Sequence, residues 1–278
     1  MSTQLVLLGT AGDPIPRGGR RAPAQVILVD DAAYLIDCGN GVAWQLHRAG
    51  VDFSALRAVC VTHHHSDHNA DVGTLFLLGW SGLVAPVPVI GPPPLEQILV
   101  NFMAANRYDI DTRMCDEGRP CLAGFIDPRE ISGPGVVHAD DKVRITAALV
   151  EHPPVSPAFA YRVDTADRSI VISGDTRPCD ALVELASGAD TLVHEVLYPP
   201  AVLRLAARND GQRLRRHLLT SHSPVDQVGE LAERAGVATL VLSHFVPSCG
   251  TVDDATWHRE AQRGYRGRVI VGHDLQRL

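Results

Sequence analysis

Seven consecutive residues, Thr62-His63-His64-His65-Ser66-Asp67-His68, constrain this chain more than any other stretch. They follow Ala58-Val59-Cys60-Val61, an apolar run that reads as a buried strand, and they precede Asn69 to Leu75, which can open a helix. Four candidate metal ligands, His63, His65, Asp67 and His68, therefore fall on a short turn at a strand's C-terminal end. Rigid elements on both sides would hold them in place, as a preorganised metal site requires. In extended backbone, residues two apart project to the same side, so His63 and His65 can hold one ion. If the chain then turns, Asp67 and His68 can face a second. Imidazole and carboxylate suit zinc, and two such ions about 3.5–4 Å apart can clamp a nucleophile and a leaving group. Chance histidines on a polar loop would be the plainer reading of a lone pair. The full His-x-His-x-Asp-His pattern behind a buried strand argues against it.

This pattern resembles the metal-binding signature of the metallo-β-lactamase fold superfamily. The longer run from Thr62 to Asp71 is similar to that of its arylsulfatase-like and tRNase Z-like hydrolases. The resemblance implies an α/β chain folded as a four-layer αββα sandwich, with metals at one edge of two sheets packed face to face. It can be followed along nearly the whole chain. Residues 1–278 are therefore expected to form one hydrolase domain, with a helical insertion at about 92–135.

Further site residues follow from the same resemblance. His152, in Glu151-His152-Pro153-Pro154 after an alternating strand, looks like the family's third ligand position; the proline keeps His152 extended. Asp175 ends the strand Ser169 to Ser173, and its two carboxylate oxygens can bridge both metals; a helix cap is its other reading. His244, at the end of Thr239-Leu240-Val241-Leu242-Ser243, matches the last ligand. Thus His63, His65 and His152 would hold one Zn2+, Asp67, His68 and His244 the other, with Mn2+ or Fe2+ as substitutes. Asp37, in Asp37-Cys38-Gly39, would brace the ligand loop, cap the next helix, or do both. His194-Glu195 and the loop Thr220-Ser221-His222-Ser223-Pro224 match positions that meet in tRNase Z-like enzymes. His222 polarised by Glu195 would be a general acid, or else the two are a hydrogen-bonded structural pair. Arg17, Arg20 and Arg21 in a glycine-rich loop could meet an anionic substrate or simply be solvated. His273-Asp274 is read as structural or solvated.

Composition narrows the function classes. A hydrophobic content of 45% with 21% charged residues is that of an ordinary globular chain. A net charge of −7 gives no global attraction to a polyanion, which argues against nucleic acid unless a local basic patch exists. The one notable basic cluster is Arg213-Leu214-Arg215-Arg216-His217. The six cysteines form no CxxC pair and read as thiols in a reducing compartment. Leu5 to Leu8 is too short for a signal peptide and no stretch is long enough to span a membrane, so a cytoplasmic location is expected.

The expected mechanism is attack by a hydroxide shared between the metals, oriented by Asp67, with His222 protonating the departing group. A metal-free scaffold on the same fold would have lost ligands, and here every expected position is filled. Within the family, tRNase Z enzymes often carry a long arm between the third ligand and the bridging aspartate. Here that spacing is only 175 − 152 = 23 residues. The expectation is therefore a hydrolase of a small anionic ester, a phosphodiester or aryl sulfate. A tRNase Z-like 3′ endoribonuclease and a lactone or carboxylic ester hydrolase are the alternatives. Similar proteins are commonly homodimers.

Overall fold

Leu5 and Leu7 project to one face of the first strand and Val6 and Leu8 to the other, and all four are fully buried. A strand with two apolar faces needs cover on both. In the computed structural model, which describes residues 2–16, 18–205 and 211–278, a second sheet covers one face and helices the other.

The first sheet contains β1 (Thr3–Gly9), β2 (Ala24–Val29), β3 (Ala32–Ile36), β4 (Leu56–Cys60), β5 (Val87–Gly91) and β6 (Ile126–Glu130). The second contains β7 (Gly135–Ala139), β8 (Arg144–Leu149), β9 (Phe159–Asp164), β10 (Ser169–Ile172), β11 (Thr191–Leu197), β12 (Thr239–Val246) and β13 (Arg268–Val271). A last short strand, β14 (Gln276–Arg277), returns to the first sheet beside β1. Spatial order is β14-β1-β2-β3-β4-β5-β6 in one sheet and β13-β12-β11-β10-β9-β8-β7 in the other. Each sheet joins an antiparallel half to a parallel half, the switch falling at β3 and at β10.

Five helices follow the first sheet's strands: α1 (Val42–Arg48), α2 (Ser66–Asn69), α3 (Val72–Gly79), α4 (Leu95–Ala105) and α5 (Arg107–Asp116). Five more belong to the second half: α6 (Asp180–Ala186), α7 (Pro199–Leu205), α8 (Gln212–Ser221), α9 (Val225–Ala235) and α10 (Asp254–Ala261). The result is the αββα sandwich, held by three apolar layers. Between the sheets, Leu5, Leu7, Tyr34 and Ile36 meet Phe159, Tyr161, Ile170 and Val241. Val6, Leu35 and Val59 pack outward on Leu46, Leu75 and Leu95, while Val171, Leu192 and Leu240 pack on Leu182, Val228 and Trp257. Each such side chain contributes about 1.5–3 kcal/mol by leaving water. α9 shows how the outer layers form: Val228, Leu231, Ala232 and Ala235 make one buried stripe, and Gly236, at φ 67°, ends the helix in the left-handed region.

Within the region 92–135 the α-helices end at Asp116, and a short 3-10 turn follows at Leu122–Phe125. Residues 126–130 instead extend the first sheet as β6, where Pro128 is tolerated because an edge strand need not donate to a further neighbour. The six cysteines are free thiols. Among the described residues no helix is long and apolar enough to cross a membrane.

Candidate active site

The C-terminal ends of β4, β8 and β10, together with the end of β12, meet along one edge of the sandwich, and chemistry-bearing residues cluster there. Beyond β4, Val61 still donates to the Ile90 carbonyl, and the chain then crosses the edge as Thr62–His65 before α2 begins. Alternation along this extended piece separates the histidines. His63 and His65 face the cluster, whereas His64 turns away to the Pro92 carbonyl at 2.7 Å and the Asn69 amide at 2.9 Å. Asp67 and His68 sit on the single turn of α2.

Asp175 lies at the centre. Its Oδ2 is 3.8 Å from both His63 Nε2 and His152 Nε2. Its Oδ1 is 3.2 Å from His68 Nε2 and 3.1 Å from His244 Nε2. One carboxylate therefore divides its oxygens between two nests of nitrogen. His65 Nδ1 completes the first, 3.1 Å from His152 Nε2, and Asp67 Oδ2 completes the second, 3.6 Å from His244 Nε2. All seven expected ligands thus converge, four from the first sheet's edge and three from the second's.

Several of the donor atoms that face inward have no protein partner. His63 Nε2, His68 Nε2, His244 Nε2 and Asp175 Oδ1 are buried with no hydrogen bond. Such groups cost about 1–3 kcal/mol each if left so, and divalent cations would satisfy all of them together. Nitrogen-rich sets with carboxylates suit zinc and its neighbours. Burial lowers the pKa of His63, His65 and His152, the last to about 4, which keeps these rings neutral as ligation demands. Burial works against the charge of Asp67 too, yet His68 and His244 hold it ionised, with a pKa of about 2.

Outer partners aim these rings. His68 Nδ1 donates to Asp37 Oδ2 at 2.8 Å, and Asp37 also accepts from the Thr62 amide at 2.8 Å and its hydroxyl at 3.0 Å. That hydroxyl in turn accepts from His63 Nδ1 at 3.0 Å. Asp37 thus braces the loop by several bonds, and it does so at φ 64°, a conformation that costs a non-glycine residue about 1–3 kcal/mol. His244 is held at φ 47° likewise. His152 Nδ1 donates to the Ser221 carbonyl at 2.9 Å. Gly174, at φ 58°, admits the turn before Asp175; a Cβ there would lie 2.7 Å from the Phe159 carbonyl oxygen.

His222 Nδ1 lies 2.9 Å from Glu195 Oε2, and Glu195 Oε1 accepts the Thr176 amide at 2.7 Å. Burial alone would favour a neutral pair. The carboxylate's attraction prevails at His222, whose pKa rises to about 9. Glu195 does not reach a metal nest through this arrangement; it holds His222, which lies 3.9 Å from Asp175 Oδ2.

A cleft of about 590 Å³ opens over the cluster, lined by Asp67, Asp175, His222 and His244 on its floor and by Ile15, Leu214, His217 and Leu218 among its walls. His217 is the member that sequence reasoning missed, read there only as part of a basic cluster; no spacing rule singles it out. The arginines expected near a substrate behave otherwise. Arg20 donates to Thr10 Oγ1 at 2.6 Å and the Gly272 carbonyl at 2.7 Å, stacks over Phe245, and does not line the cleft. Arg21 is exposed, also off the cleft, and its amide is bound to Asp274. Arg17 lies outside the described residues. Asp274 also accepts from Thr10, a structural role for the His273-Asp274 pair.

Comparison with known proteins agrees with this geometry. A family model described as "Beta-lactamase superfamily domain" matches residues 33–245. A protein named ribonuclease Z from Mycobacterium bovis (strain BCG / Pasteur 1173P2) is 35% identical over 99% of this chain and 97% of its own length. One of the same name from Mycobacterium avium (strain 104) is 36% identical over 99% and 97%. The crystal structure of the short form of human tRNase Z superposes with a TM-score of 0.72 at 20% identity, covering 99% of this chain and 98% of that one, a likeness of fold. A two-sheet sandwich with its histidines and aspartates gathered on one edge, matched end to end by these relatives, belongs to the metallo-β-lactamase fold superfamily, in the branch of the ribonuclease Z proteins.

Proposed function

We propose that this protein is a metal-dependent endoribonuclease of the tRNase Z kind, cleaving a phosphodiester of precursor tRNA on the 3′ side. The observation that carries this reading is the end-to-end identity of 35% to a protein named ribonuclease Z. It favours this reading over the small-ester expectation, whose two supports weaken. The short spacing between His152 and Asp175 does not set the chain apart, since the match leaves almost none of that relative unaligned. The acidic net charge is global, whereas Arg213, Arg215 and Arg216 stand exposed on α8, the helix that also lends Leu214, His217 and Leu218 to the cleft.

His63, His65, His152 and one oxygen of Asp175 would hold one divalent cation, and Asp67, His68, His244 and the other oxygen a second. Bound there, such a pair acidifies water and offsets charge on the phosphoryl oxygens. The remaining steps fall to the chain. Asp67, ionised, accepts a hydrogen bond from the attacking water and fixes its direction. His222, charged and held by Glu195, donates its proton to the departing ribose oxygen. Asp37, Thr62 and the Ser221 carbonyl keep the imidazoles aimed.

The cleft's volume and its apolar wall of Ile15, Leu214 and Leu218 favour a second reading, a small ester substrate. One panel separates the two: precursor tRNA, bis-p-nitrophenyl phosphate, cyclic nucleotides, p-nitrophenyl sulfate and lactones. Cleavage of precursor tRNA at one position, with kcat/KM well above that for every small ester, is expected. Turnover of a sulfate or lactone with precursor tRNA left intact would reverse the assignment.

A further inference from the structure

His217 is not among the expected site residues, yet its ring centroid is 6.1 Å from His65, 6.0 Å from His152 and 6.0 Å from His222. It is half-buried on the cleft wall, between Leu214 and Leu218 of the same helix. Its hydrogen bonding is defined by a neighbour. Ser221 Oγ donates its proton to the Pro153 carbonyl, so towards His217 Nδ1, 3.3 Å away, it can only accept. A neutral His217 therefore carries its proton on Nδ1 and leaves a lone pair on Nε2. Among the described residues Nε2 has no hydrogen-bond partner.

An acceptor at that place cannot serve the anionic oxygens of a phosphodiester, which also only accept. A hydroxyl can. We propose that His217 Nε2 accepts a hydrogen bond from the ribose 2′-hydroxyl beside the departing 3′ oxygen, and so makes the site choose RNA over DNA. This rests on the ribonuclease reading above and adds the sugar specificity of the same site. His222 serves the departing oxygen. The 2′-hydroxyl is on the adjacent sugar carbon, and the imidazole nearest His222 outside the expected ligand set is His217, their centroids 6.0 Å apart. Two neighbouring rings thus meet two neighbouring oxygens, one as donor and one as acceptor. The 2′-hydroxyl is the group by which a protein tells the two nucleic acids apart at a given position.

The test uses metal-loaded protein and precursor tRNA carrying one 2′-deoxynucleotide immediately 5′ of the scissile phosphate, against the all-ribose substrate. The unaltered protein should lose about fivefold in kcat/KM on the deoxy substrate, the worth of one neutral hydrogen bond. His217→Ala should lose about as much on the all-ribose substrate and nothing more on the deoxy one. His217→Gln, which restores an acceptor, should recover both the rate and the sensitivity to the deoxy change. A deoxy penalty of equal size in the unaltered protein and in His217→Ala overturns the inference and leaves the ribonuclease reading standing. If the unaltered protein cleaves neither RNA, the ribonuclease reading itself fails and the inference with it.

Discussion

The acid role proposed for His222 sets what that side chain must satisfy. It must hold its proton in a buried place, and the Glu195 carboxylate at 2.9 Å makes that favourable. Removing the imidazole should lower kcat on precursor RNA by about 10²–10⁴, the usual worth of a positioned acid. The loss should shrink sharply for bis-p-nitrophenyl phosphate, whose nitrophenolate departs without a proton. We expect His222→Ala to show this contrast with its metal content unchanged; equal losses on both substrates would show that His222 is structural. At this scale the seven residues that converge on the edge were legible because pattern and family resemblance both constrain them. Strain was not: nothing in the residues Asp37 or His244 announces a positive φ, which tertiary contacts impose. Nor was His217, which meets His65 and His152 only because α8 is brought against distant loops.

Secondary structure explains the uneven legibility of larger pieces. α9 has a regular apolar stripe, the period by which a sequence shows a helix most plainly. α8 is amphipathic but has three exposed arginines and few apolar residues, and Thr220 and Ser221, expected in a loop, are its last turn. β6, β7 and β14 are short edge strands with weak alternation, and pairing rather than propensity defines them. The proposed function gives the arginines of α8 a use. Replacing Arg213, Arg215 and Arg216 together with alanine should weaken binding of precursor RNA. It should also flatten the dependence of log Kd on log salt, by about one unit for each phosphate that the variant no longer neutralises. Bis-p-nitrophenyl phosphate, too small to span the cleft and α8, reports whether the variant is folded. An unchanged salt slope would remove α8 from the RNA-binding surface.

Across the whole molecule, the two sheets meet through one apolar layer and one polar edge. His63, His65, Asp67 and His68 come from the first sheet, and His152, Asp175 and His244 from the second. Cations held there would tie the sheets together, so metal binding and folding should be linked. At free metal one hundred times Kd the linkage is worth about 2.7 kcal/mol per site, which for a chain of this size raises Tm by about 5 °C. Stripping the protein with a chelator should lower Tm by at least that amount, and returning Zn2+ should restore it. Asp175→Ala removes the one side chain placed to serve both nests, so its Tm should respond far less to metal than that of the unaltered protein. Metal analysis of the loaded protein should return close to two ions per chain. A Tm indifferent to chelator, or a single ion that Asp175→Ala still holds, would mean that the carboxylate does not join two cations. The sandwich would then be held at this edge by its hydrogen bonds alone.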